Sequence, residues 1–112
     1  MNKVEMLRTL YWYMDEFLPR PSNHVARMGK DQFYILVHKR AAVMRMAELV
    51  EESDDEPVSV VDDFMRRSCY NYYACRIMKQ RTMFEHYFET ARDILEMIPD
   101  DHIFKEVHIE LF

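Results

Sequence analysis

The chain has 112 residues, 49% hydrophobic and 31% charged, with a formal net charge of −5; that length sets one domain with its own interior, and that balance excludes wholesale disorder. One Gly and four Pro are too few for an all-β sandwich or barrel, which needs a turn signal every ~8 to 12 residues. The sequence therefore predicts an all-α fold, with residues 1–112 read as a single helical domain: an irregular four-helix bundle whose C-terminal tail is either a short helix or a strand.

The first helix is expected to start with Asn2 as its N-cap and to end before Pro19-Arg20-Pro21, because the residue ahead of a proline is pushed out of helical geometry. At ~100° per residue, Leu7, Leu10, Tyr11, Met14, Phe17 and Leu18 share one stripe. Trp12 falls outside it, near Glu5, Thr9 and Glu16. A large aromatic so far out of phase is either half-covered by a neighbouring segment or an anchor for a partner. No apolar run long enough for a secretory leader precedes Asp15 and Glu16, so a cytoplasmic setting is the expectation.

Residues 19 to 30 read as an irregular connection, with a short helical turn after Ser22-Asn23 closed by Gly29. The second helix is expected over Lys30 to Glu52, with Asp31 as N-cap. Its apolar residues form two stripes: Phe33, Leu36, Val37, Val43, Met44 and Ala47 on one side, Ile35, Ala42, Met46 and Leu49 on another. A helix apolar on two sides calls for cover on two sides, from its own core and from a second subunit. The run from Phe33 to Val37 also suits a buried strand, since periodicity cannot separate the two over five residues.

After the acidic stretch Glu51 to Pro57, the chain runs 41 residues from Val58 to Ile98 without Gly or Pro. Ser59-Val60-Val61-Asp62 resembles a capping-box start, and Val61, Phe64, Met65, Ser68, Cys69, Tyr72 and Cys75 then line one face. Met83, Phe84, Tyr87, Phe88, Ala91, Ile94, Leu95 and Ile98 make a second stripe, about 100° out of register with the first. A break near Gln80-Arg81-Thr82 restores the register, and Thr82-Met83-Phe84-Glu85 reads as a capping box at that point. Beyond Pro99, Ile103, Phe104, Val107 and Leu111 suit a helix, whereas Val107, Ile109 and Leu111 suit a strand.

Motifs for chemistry are weak. His86, Glu89 and Asp93 share one side of the last helix at spacings that could hold a cation, yet they lie opposite the apolar stripe and read as a solvated face. His24, His38, His102 and His108 have no ligand spacing. Cys69 and Cys75 are about 240° apart around one helix, which prevents their pairing, and they read as buried thiols. Carboxylate pairs such as Asp62-Asp63 sit where they favour helix N-termini. No glycine-rich phosphate loop occurs. Neither catalysis, a cofactor nor a metal is expected, and no membrane contact.

Charge is segregated. Arg20 to Met46 carries six basic residues against Asp31; Ala47 to Asp63 carries eight acids and no base; Phe64 to Arg81 has five bases and no acid; and Thr82 to Phe112 has eight acids against Arg92 and Lys105. Either the blocks complement one another internally or one of them is a recognition surface. The candidate partner-binding residues are Trp12, Arg66, Arg67, Tyr70 and Tyr73, with Glu85, Glu89, Asp93 and Glu96 as an acidic face. Ten methionines add adaptable apolar surface. The expected role is a non-enzymatic interaction or regulatory module acting by surface docking as a homodimer. The alternatives are a small nucleic-acid-associated regulator using helices 2 and 3, and an acidic inhibitor that competes for a partner's basic groove.

Overall fold

The computed structural model describes residues 1–20 and 29–99. Four helices follow in chain order: α1 (Lys3–Phe17), α2 (Lys30–Glu52), α3 (Pro57–Ala74) and α4 (Met78–Glu96). The chain is all-helical, as expected, with no strand among the described residues, and Phe33 to Val37 lie within α2. The tail with His102 and His108, and the turn after Ser22-Asn23 with His24, lie outside the described residues. No described helix is long and apolar enough to cross a membrane.

Asn2 caps α1 as expected, its Oδ1 accepting from the Glu5 amide at 2.8 Å. The buried stripe of α1 is rotated from the expected one: Met6, Leu10, Tyr13, Met14 and Leu18 are buried, while Tyr11 and Phe17 are exposed. The cause is a polar partner for an inward ring. Tyr13 Oη donates to Asp93 Oδ2 at 3.4 Å, which lets the ring lie inside, and Phe17 packs on it from outside, 5.1 Å between centroids.

The span of α2 matches the expected one, but its N-cap is Gly29 in extended conformation and not Asp31, which sits in the first turn and complements the helix dipole. Both expected stripes of α2 contribute to the interior, and both leave residues exposed. Leu36, Ala42, Val43, Met46, Ala47 and Val50 are buried, whereas Ile35, Val37 and Met44 are exposed. The start of α3 also moves. Pro57 opens the helix, as proline does at a first position, and Glu56 caps it by accepting from the Ser59 amide at 3.0 Å.

The expected break near Gln80 to Thr82 falls earlier, at Cys75 to Ile77. Thr82 does not cap; it lies inside α4, its Oγ1 donating to the Met78 carbonyl at 3.1 Å. A break anywhere between the two stripes corrects the register, and the earlier one adds a turn that brings the Arg81 guanidinium 4.8 Å from the Tyr72 ring. The two helices form an antiparallel hairpin, since Phe64, further back along α3, stacks on Tyr87, further along α4, at 5.6 Å. By contrast α2 runs parallel to α4, with His38 beside His86 and Lys39 beside Glu89.

The first helix packs against this trio. The amino terminus lies 3.8 Å from Glu56 Oε1, Lys3 Nζ donates to the Glu51 carbonyl at 3.0 Å, and Arg40 donates to the Leu18 carbonyl. Met6, Leu10, Met46, Ile94 and Ile98 are fully buried, joined by Val43, Val50, Val58 and Val61. Each such side chain contributes ~1.5–3 kcal/mol on leaving water, opposed by the entropy of ordering the chain.

Candidate functional site

These connections bring the N-terminus of α2, the C-terminus of α3 and the N-terminus of α4 to one end of the molecule. Between α2 and α4 at that end runs a mostly apolar groove of about 700 Å³, lined by Lys30, Asp31, Tyr34, Ile35 and His38 on one wall and by Met78, Lys79, Met83 and His86 on the other. Lys30 Nζ sits 5.9 Å from the Tyr34 ring centroid. The groove closes on His38 and His86, whose rings are near-parallel at 6.3 Å. Burial, with His86 second, lowers the His38 pKa below its ordinary 6.5.

The same end holds the most exposed large apolar side chains. Tyr73 is 76% exposed, Tyr70 73%, Met78 71% and Ile77 58%. Met78 belongs both to this set and to the groove wall, whereas Tyr73 borders a separate hollow between α3 and α4. Of the helix starts here, neither Gly29 of α2 nor Ile77 of α4 supplies a side-chain cap. Lys30, Arg76, Lys79 and Arg81 outnumber Asp31 and Glu85 here. Lys30, from one basic sequence block, thus meets Arg76, Lys79 and Arg81 from the other, across the acidic block that separates them along the chain.

The other expected site residues are distributed differently. Trp12 is half exposed on α1, edge-on to Phe17 at 5.8 Å, and shares an outer surface with exposed Val4 and Tyr11. Arg66 and Arg67 are engaged within their own helix: Arg66 Nε lies 2.9 Å from Asp62 Oδ2, and Arg67 Nε lies 2.8 Å from Asp63 Oδ2. Asp62 is buried, and burial raises its pKa from 3.8 to about 6 against the opposing pull of Arg66. Tyr70 and Tyr73 are thus brought to the groove end, while Trp12 is placed on another helix.

The acidic side of α4 is not the uniform solvated face expected. Glu85 and Glu96 are exposed, but His86, Glu89 and Asp93 turn partly toward α2 and α1. Glu89 Oε2 lies 3.8 Å from Lys39 Nζ and 3.4 Å from His86 Nδ1. Asp93 accepts from Tyr13, whose pKa is pushed up to about 12 by burial and then by the Asp93 charge. Arg92 stands 3.8 Å from Asp93 and 4.0 Å from Glu96. The stripe is inward because α1 and α2 both pack on that side of α4, a placement that single-helix periodicity does not contain.

Among the described residues no group of three or more His, Cys, Asp and Glu has the geometry to hold a metal ion. Cys69 and Cys75 are free thiols, partly exposed and not buried as expected. Cys69 borders a shallower hollow of about 330 Å³ between α3 and α4, with Tyr72, Tyr73 and Phe88. Cys75 Sγ donates to Gln80 Oε1 at 3.3 Å.

Sequence reasoning named Tyr70 and Tyr73 but not the groove-wall residues Tyr34, Ile35 and Met78. A usable signal was present: Ile35 lay in a second apolar stripe, and Ile77 and Met78 had no place in either stripe of the long helical run. No family model, curated protein or solved structure matches this chain.

Proposed function

We propose that this protein is a non-enzymatic docking module that binds a protein partner through the end of the bundle where α2, α3 and α4 meet. One observation carries the reading: Tyr70, Tyr73, Ile77 and Met78 remain exposed at the end of the bundle where the groove opens, Met78 in its wall, although the same chain buries a core drawn from all four helices. Large apolar side chains left exposed together at one end of a domain that has its own core mark an interaction site. Aromatic and methionine side chains suit it, the first as anchors and the second as adaptable contacts.

Self-association belongs to a different face in this reading. A two-fold contact through the groove end would set Lys30, Arg76 and Lys79 against their own copies, which like-charge repulsion opposes. The outer side of α1 is balanced by Arg8 and Asp15 around Val4, Tyr11 and Trp12, and a homodimer would form there. Binding of nucleic acid is the weaker alternative, because Arg66 and Arg67 already have carboxylate partners.

Site-specific photo-crosslinking tests the docking role. A crosslinker placed at Tyr73 or Met78 in cells is expected to give a discrete heavier product, and one at Asp54, at the opposite end, none. Equal labelling at all three positions, or none at Tyr73 and Met78, would contradict it.

A further inference from the structure

We propose that the α2/α4 groove receives an acidic amphipathic helix from a partner protein, its apolar face seated on Ile35, Met78 and Met83 and its carboxylates meeting Lys30 and Lys79. The proposal rests on the docking role above and adds the chemistry of the occupant.

Three features of the groove select that occupant. Its walls are mostly apolar, so the occupant must bring apolar side chains to replace water. Its rim carries Lys30 on one side and Lys79 on the other, both exposed, with the first-turn amides of two parallel helices pointing out of the same end. The helix dipoles add positive potential there, and an occupant carrying carboxylates matches it while a basic one is repelled. Asp31 alone opposes this on the groove wall.

The furrow also shows what shape it accepts. From Lys30 to His38 it extends about 12 Å, roughly two helical turns. On α4, the stripe that begins at His86 continues to Asp93, about two turns further along, and there α1 already lies against it through Tyr13. The open part of the same furrow takes a further helix by the same ridge-and-groove fit. A nucleic acid strand fits less well, since the lining offers two lysines and an apolar floor in place of a basic track.

The test is fluorescence anisotropy with a labelled peptide of about twelve residues, Leu and Phe at i, i+3, i+4 and i+7 and Asp and Glu between. A peptide with Lys and Arg at the acidic positions, one with the same composition scrambled, and single-stranded DNA serve as competitors. The acidic amphipathic peptide is expected to bind and the other three to fail to displace it. Lys30→Glu with Lys79→Glu is expected to weaken binding on the order of tenfold at low salt, and Ile35→Asp by at least as much at any salt. These side chains are exposed, so circular dichroism of each variant is expected to match the parent.

Binding of the basic or scrambled peptide as tightly as the acidic one would overturn the proposal, as would displacement by DNA. So would loss of self-association in the K30E/K79E variant, which would identify the occupant as a second copy. Crosslinking at Tyr73 that succeeds while the acidic peptide fails to bind overturns this occupant and leaves the docking role standing.

Discussion

Asp62 is the residue whose environment makes the clearest thermodynamic statement. Its carboxyl is buried at the start of the α3 hairpin arm, and its pKa of about 6 exceeds the ordinary 3.8. The folded state therefore holds this proton more tightly than the unfolded chain does. Linkage fixes the sign: the stabilisation is fully present below the unfolded value and is lost as pH rises from about 4 through about 6. In urea titrations across that range, Asp62→Asn is expected to remove this decline, since the amide still accepts from Arg66 but does not ionise. A variant whose stability falls with pH as steeply as the parent's would refute the assignment. His38 carries a second statement at this scale. Replacing His86 with Asn is expected to move the His38 titration, followed by NMR, part of the way back toward 6.5, because one of the two causes of its lowering is gone. Burial, the larger cause, stays.

Between neighbouring elements, local chemistry predicted some boundaries and packing decided others. The start of α1 was legible because Asn2 presents a side-chain oxygen where the first turn needs an acceptor, and the span of α2 because acidic and proline-ended segments bracket it. Thr82 misled for a physical reason. Thr, two residues and Glu is a capping box only if the chain is already non-helical at the threonine, and here the chain turns at Cys75 to Ile77, so that the Arg81 side chain reaches Tyr72. The contrast is measurable. Asn2→Ala is expected to cost about 1 kcal/mol of unfolding free energy, whereas Thr82→Ala, which removes only a bond back to the preceding turn, is expected to cost less than about 0.5 kcal/mol. A Thr82→Ala loss equal to that of Asn2→Ala would place the helix start at Thr82 after all. The candidate site was legible only in part. Tyr70 and Tyr73 stood out as aromatics among basic residues, but the groove is made by α2 and α4 running side by side, and no single-helix pattern encodes which neighbour a helix acquires.

Over the described residues, part of the charge segregation of the sequence resolves into an axis. Lys30 of the second helix and the basic residues Arg76, Lys79 and Arg81 around the α3/α4 turn gather at the groove end, while Glu51, Glu52, Asp54, Asp55 and Glu56 lie at the other, close to the amino terminus. Internal pairing accounts for some of the charge, as Lys39 with Glu89 and both helix-3 arginines with their own aspartates show. The remainder gives the molecule a positive pole with apolar side chains on it. In the proposed docking, such a pole would accelerate encounter with an acidic partner and orient it before apolar contact is made. The proposed self-association uses the opposite kind of surface, charge-balanced and aromatic. Sedimentation equilibrium of Trp12→Ala is accordingly expected to show a weakened dimer with unchanged helical content, and an unaltered dimer would remove Trp12 from that interface.

The methionines supply the most direct readout of where a partner sits. With methyl-labelled methionine, addition of the acidic amphipathic peptide is expected to shift the Met78 and Met83 resonances while Met6 and Met46, buried in the core, stay in place. Saturating peptide that leaves Met78 and Met83 unmoved, or that moves the core methionines equally, would contradict docking at this end of the bundle.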